Sequence, residues 1–178
     1  VQALASFGRA AGADCALLEA VHRRNLAQRE LMTRRIMERL GPDLRGRRLA
    51  VWGLAFKPQT DDVREAPALA IIEDLLKAGA EIVVHDPQAM ASTRRMLGDR
   101  VRYCDDPYAA LPGADALVIM TEWMEFRSPD FERMRSAMRQ ALIFDGRNLY
   151  ALATPARYNF EYHSVGRPTV LPGQRGPE

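Results

Sequence analysis

From residue 49 onward, short apolar runs alternate with longer stretches in which apolar positions return every third or fourth residue. Leu49–Trp52, Glu81–His85, Val101–Tyr103, Ala116–Met120 and Ala141–Asp145 have the length and apolar content of strands. Pro67–Ala78 places Leu69, Ile72, Leu75 and Leu76 on one helical face and stops at Gly79, a residue suited to a left-handed C-terminal turn. Ala89–Leu97, Pro107–Leu111 and Pro129–Met138 read as shorter helices. Strands alternating with helices at this spacing predict an α/β fold: a doubly wound, Rossmann-like parallel sheet with the order 3-2-1-4-5. Phe160–Val165 alternates weakly and is a candidate late edge strand, so the sheet is expected to hold five to six strands.

The first 46 residues follow a different pattern. Residues 2–11 read as the end of a helix, stopped around Gly8 and Gly12. Asp14 can cap a longer helix that runs to Leu40 and ends at Gly41-Pro42-Asp43. Leu17, Leu18, Val21, Leu31, Met32, Ile36 and Leu40 fall on one side of it, with arginines over much of the rest. At ~40 Å it is longer than one domain needs. It therefore bridges two domains, packs against a second copy, or lies along this domain. Asn25 interrupts its apolar stripe, facing either solvent or a partner. The chain thus divides into a helical linker or dimerisation segment (1–46), a Rossmann-like domain (47–167) and a Pro/Gly-rich tail (168–178) expected to be poorly ordered.

Composition narrows the class. A chain of 178 residues with 47% apolar content can bury one good core. No apolar run reaches the ~18–20 residues that cross a bilayer, and no secretory signal pattern is evident at the N-terminus. The sequence opens on Val1 rather than Met, which reads as a processed piece. Cys15 and Cys104 lack metal-ligand spacing, His22, His85 and His163 are far apart, and a reducing, cytoplasmic setting is expected. The net charge of +2 indicates little about partners. Of the 25 basic residues only Lys57 and Lys77 are lysines, which marks Lys57 as a choice of ammonium over guanidinium. The arginines at 45, 47 and 48 have no aromatic interleaving, so no nucleic-acid motif is present.

Ligands of doubly wound sheets sit at the C-terminal strand ends, where the strand order reverses. That rule selects three loops: Ala55–Arg64, Thr121–Phe126 and Gly146–Asn148. They carry Lys57, Thr60 and Arg64; Thr121, Glu122 and Trp123; and Arg147 and Asn148. Cations converging beside a helix that Pro67 opens predict an anion site for a phosphate or diphosphate. The dinucleotide fingerprint is missing, because Gly53 stands alone where three glycines are needed. Asp86 ends the second strand, the usual place of a ribose-binding acid, but lies farther than the usual ~20 residues from the glycine. Asp61-Asp62 can be read as metal ligands, and more readily as cap and dipole partners of the following helix. Trp123 reads as packing rather than a stacking platform, and no nucleophile–base pair is visible.

Three stretches also carry a resemblance. Gly53-Leu-Ala-Phe-Lys-Pro-Gln-Thr-Asp-Asp-Val-Arg-Glu-Ala-Pro67, Thr121-Glu-Trp-Met-Glu-Phe126 and Phe144-Asp-Gly-Arg-Asn148 resemble, in order, motifs of the C-terminal UDP-binding domain of the UDP-glucose/GDP-mannose dehydrogenase family, UDP-glucose 6-dehydrogenases in particular. The long helix is similar to the one that joins that family's two Rossmann-like halves and forms its homodimer. The resemblance extends to about Arg167. It implies NAD-dependent oxidation of UDP-glucose to UDP-glucuronate by the full-length enzyme, with NAD held mainly by an N-terminal dehydrogenase domain. It further implies that Phe56 and Lys57 contact the UDP-sugar, Arg147 its phosphate or sugar side, and Arg64 the NAD of the other domain.

The family's Gly-Gly-x-Cys-Phe-x-Lys-Asp motif, which carries its catalytic cysteine, is not in this sequence, and neither Cys15 nor Cys104 matches it. The chain alone is therefore expected to be inactive. Thr154-Pro155 falls where the family has a helix, which argues against the last strand. Two alternatives stay open: a free-standing nucleotide-binding module, and a related dehydrogenase acting on GDP-mannose or a UDP-N-acetyl sugar.

Overall fold

The structure, a computed structural model, describes residues 1–174. Two helices lead, α1 (Gln2–Ala10) and α2 (Ala16–Leu40). The sheet domain follows as β1 (Arg48–Trp52), α3 (Pro67–Lys77), β2 (Glu81–His85), α4 (Met90–Leu97), β3 (Arg102–Tyr103), β4 (Ala116–Ile119), α5 (Phe131–Ala137), β5 (Leu142–Asp145), α6 (Ala153–Arg157) and β6 (Glu161–Ser164). All six strands are parallel, in the order β3-β2-β1-β4-β5-β6. The order reverses between β1 and β4, as the strand–helix alternation predicts.

Every residue of β4 and β5 is buried, and all of β1 but Arg48. A parallel sheet is covered on both faces, so its inner strands read as continuous apolar runs rather than alternating ones. β6, at the edge, alternates between buried and half-buried positions, which explains its weak signal in the sequence. Its crossover helix α6 forms despite Pro155. The ring lies in the first turn, where a backbone N–H has no helical partner to lose.

The tail differs from expectation. Val170 is buried and forms an antiparallel bridge with Tyr162, at 2.9 and 3.0 Å. Proline and glycine signal the absence of regular structure, not the absence of contact, and one apolar residue suffices to fix the return. The last four residues of that tail lie outside the described residues.

Helix α2 has 25 residues and is about 37 Å long. Asp14 accepts the N–H of Ala16 at its start, at 2.9 Å. The apolar stripe read along the whole helix splits in two. Met32, Ile36 and Leu40 are buried against the sheet domain, whereas Leu17 is 77% exposed and Val21 and Leu26 are about 40% exposed. Two arginines clamp the packed half onto the edge of the sheet. Arg35 donates to the carbonyl of Ser164, and the Arg39 guanidinium forks onto the Glu161 carboxylate with contacts of 2.8 Å.

His163 also touches Glu161, with Nε2 2.8 Å from Oε1, and its ring stacks on Phe144. Burial pushes the Glu161 carboxyl up, but the hydrogen bonds from Arg39 and His163 outweigh it and hold the carboxyl below its ordinary value. A depressed carboxyl contributes stability above its unfolded value of ~4.3 and loses it as pH falls through the folded value. Wild type is therefore expected to exceed Glu161→Gln in stability at neutral pH and to converge with it in acid. Urea unfolding of both proteins from pH 7 to pH 3 checks this; a gap that persists at pH 3 contradicts it.

Candidate functional site

Two buried carboxylates build the strand ends at the switch point. Asp86, just after β2, is 2% exposed and accepts five hydrogen bonds. Oδ2 takes the N–H groups of Leu54 and Ala55 at 2.7 and 3.1 Å and the indole N–H of Trp123 at 3.0 Å. Oδ1 takes the N–H groups of Gln88 and Ala89 at 2.9 and 2.7 Å. One side chain thus fixes the loops after β1, β2 and β4. Asp145, the last residue of β5, does the same for the fifth loop. It accepts from the backbone of Arg147 and Leu149 and from the Tyr162 hydroxyl, at 2.7–2.8 Å.

Gly53 closes the gap between β1 and β4. Its φ is +89°, and a Cβ there would sit 2.6 Å from both Cβ and N of Thr121. Thr121 is fully buried and donates to the carbonyl of Ala55 at 2.7 Å. The single glycine therefore serves loop–loop packing, not the approach of a pyrophosphate. Asp86, in the place of a ribose acid, has its oxygens occupied by protein donors. A dinucleotide such as NAD does not fit at this turn.

Arg147 joins the three loops. Its Nε donates to the carbonyl of Met120 at 2.8 Å and its Nη2 to the carbonyl of Phe56 at 3.0 Å. Glu122 Oε2 lies 3.1 Å from Nε as an ion-pair neighbour. A planar guanidinium bridges two carbonyls through a fixed fork of donors, which the rotatable ammonium of a lysine lacks. Asn148, with φ +56°, exchanges two hydrogen bonds with the backbone of Val165, at 2.9 and 3.0 Å.

These loops border a cavity of about 340 Å³. Phe56, Met120, Gly146, Arg147 and Val165 form its strand-end wall, and Pro67 and Ile71 of α3 adjoin them. The opposite wall is α2, through Asn25, Gln28, Leu31 and Met32. The structure brings Phe56 and Arg147 together at this cavity, and the sequence gives no hint that α2 lines it, beyond the interruption at Asn25. Lys57 is exposed on the same loop and does not line this cavity.

A second, more open hollow of about 520 Å³ lies between the β1 loop and α4. Thr60, Arg64, Ser92 and Arg95 line it with Asp61 and Asp62. Arg64 stands apart from the Phe56–Arg147 cavity, in contact with Asp62 through Nε–Oδ1 at 2.9 Å and Nη2–Oδ2 at 2.7 Å. The Arg64 hydrogen bonds hold the Asp62 carboxyl down at about 2. Asp61 accepts from the Ser92 hydroxyl at 3.2 Å. Neither aspartate caps α3, whose N-cap position is Ala66 with no side-chain bond. Arg64 holds the Asp62 carboxylate and the Ser92 hydroxyl holds that of Asp61, both away from the helix end. Among the described residues no three His, Cys, Asp or Glu side chains cluster to hold a metal ion, and no helix is long and apolar enough to cross a membrane.

Residues 50–152 match the family described as UDP-glucose/GDP-mannose dehydrogenase family, UDP binding domain. UDP-glucose 6-dehydrogenase of Pseudomonas aeruginosa is 46% identical over 173 residues, covering 94% of this chain and 38% of that protein. Among solved structures, a UDP-glucose dehydrogenase from the archaeon Pyrobaculum islandicum superposes with a TM-score of 0.75 at 38% identity, over 90% of this chain and 34% of its own. A UDP-D-ManNAc dehydrogenase from Pyrococcus horikoshii gives 0.61 at 30% identity, over 79% of this chain and 30% of its own. The chain thus spans about a third of the length of the relatives it matches. The three strand-end motifs, the sheet order and the matched span agree: this chain belongs to the UDP-glucose/GDP-mannose dehydrogenase family and carries its C-terminal UDP-binding domain.

Proposed function

We propose that this chain is the nucleotide-sugar-binding part of an NAD-dependent UDP-glucose 6-dehydrogenase. The whole enzyme oxidises UDP-glucose to UDP-glucuronate, with NAD held mainly by an N-terminal dehydrogenase domain. The observation that carries the reading is the cavity where Phe56 and Arg147 meet at the sheet's switch point. There a ring stands beside a guanidinium and the N-terminal end of α3, an arrangement suited to a nucleoside diphosphate. In this reading Phe56 and Lys57 contact the UDP-sugar and Arg147 its phosphate or sugar side. Lys57 is an exposed, rotatable ammonium that can swing over the cavity mouth once an anion is bound. Arg64, on the separate hollow, serves the NAD of the other domain. Its partner Asp62 keeps it oriented until that charge arrives.

Residues 1–46 act as linker and homodimer contact, a reading supported by Leu17, Val21 and Leu26 in the first half of α2, which stay 40–77% exposed among the described residues. The setting is cytoplasmic, and neither nucleic acid nor membrane takes part. The identity with relatives named for UDP-glucose favours glucose over an N-acetyl sugar.

Calorimetry with UDP tests the division of labour. The chain is expected to bind UDP and to produce no NADH. Lys57→Ala is expected to weaken binding by ~1.5–3 kcal/mol, the worth of a hydrogen bond to a charged group, while Arg64→Ala leaves it unchanged. A chain that binds no UDP sinks the proposal. Equal effects of the two substitutions would remove the separation between substrate and cofactor sides.

A further inference from the structure

The stripe of α2 changes character where the helix runs out over the cavity. Leu40, Ile36 and Met32 succeed one another at helical spacing and are buried. The next two positions on that face are Gln28 and Asn25, four and seven residues before Met32. An apolar pair there would extend the core. The chain instead has two carboxamides, both lining the cavity that holds Phe56 and Arg147. Among the described residues neither carboxamide makes a hydrogen bond, although Arg35 and Arg39 farther along the same helix are engaged.

We infer that Asn25 and Gln28 read the base of the bound nucleotide, a pyrimidine with an imide edge; the assignment rests on the nucleotide-sugar reading above. The two walls of the cavity offer different chemistry. The strand-end wall supplies a cation beside the end of α3, which suits the diphosphate. The α2 wall supplies Leu31 and Met32, which suit the flat face of a ring, and two neutral groups that each carry a donor and an acceptor. An imide presents adjacent N–H and C=O groups, and a carboxamide can pair with both at once. A charged residue at either position would have to be desolvated against the ring, which costs far more than a neutral amide. The arginine clamps on Ser164 and Glu161 hold this helix against the sheet edge, so the base-reading wall keeps a fixed distance from Arg147.

The test is the double variant Asn25→Leu with Gln28→Met, titrated calorimetrically with UDP and with inorganic diphosphate and melted thermally. Both replacements put good helix formers on the stripe. UDP binding is expected to weaken by about tenfold or more, the loss of one or two hydrogen bonds. Diphosphate binding stays as in wild type, and the melting temperature is unchanged or higher. That combination separates recognition from folding, because a structural role for the two amides would lower stability. UDP binding equal to wild type overturns the inference alone. An equal loss for UDP and diphosphate overturns it too, since the residues would then act on the phosphates or the cavity shape. A wild-type chain that binds no UDP removes the nucleotide reading and this inference with it.

Discussion

Asp86→Ala is expected to destabilise the chain by about 4 kcal/mol or more, a large part of the ~5–15 kcal/mol that holds a domain folded. The carboxylate accepts five donors and is 2% exposed. Removing it strands four backbone N–H groups and the Trp123 indole in a site that water reaches poorly. Each unsatisfied buried donor costs ~1–3 kcal/mol, and partial collapse of the loops relieves some of the sum. Asp86→Asn is expected to be destabilising as well, because both oxygens receive donors and the new NH2 must face one set of them. Urea unfolding measures both. A loss below about 1 kcal/mol for Asp86→Ala would mean that the carboxylate does not organise the loops. A ribose-binding role would have left stability nearly untouched.

Arg147→Ala is expected to lower UDP affinity by about a hundredfold, ~2.7 kcal/mol. Two effects combine. The positive charge beside the α3 end disappears, and the carbonyls of Met120 and Phe56 lose the donor that draws their loops together. Arg147→Lys restores the charge without the fork, so it is expected to recover only part of the affinity. Calorimetric Kd values for wild type and both variants decide between the effects. If the lysine variant binds like wild type, charge alone matters and the bridging role is wrong.

Lys57 and Arg64 show how far residue type carries an argument. Both are cations on the loop after β1, and the sequence assigned them to opposite sides of an active site only through the family resemblance. In the structure Arg64 lies on its own hollow, tied to Asp62, and Lys57 stands exposed beside Phe56 without lining its cavity. Asp61-Asp62 illustrates the reverse case. Their spacing before Pro67 fits a helix cap, yet they pair with Arg64 and Ser92 instead, because the stronger local partner wins over the helix end.

The periodicity of the chain determined by itself the strand–helix alternation, the sheet order around β1 and β4, and the three loops at the switch point. Each of these follows from local pattern and connection length, which are properties of neighbouring residues. The same pattern left the edge strand β6 weakly marked, since a half-covered strand needs fewer apolar residues. What only the tertiary structure decided was which polar groups are already spent. Asp86 stands in the place of a ribose acid and is a buried loop anchor; Gly53 stands alone where a dinucleotide cradle needs three glycines, and it makes room for Thr121. Helix α2 reads as a linker and is also a wall of the cavity. Hydrogen-bond satisfaction and burial are set by residues tens of positions apart, so no local pattern can announce them.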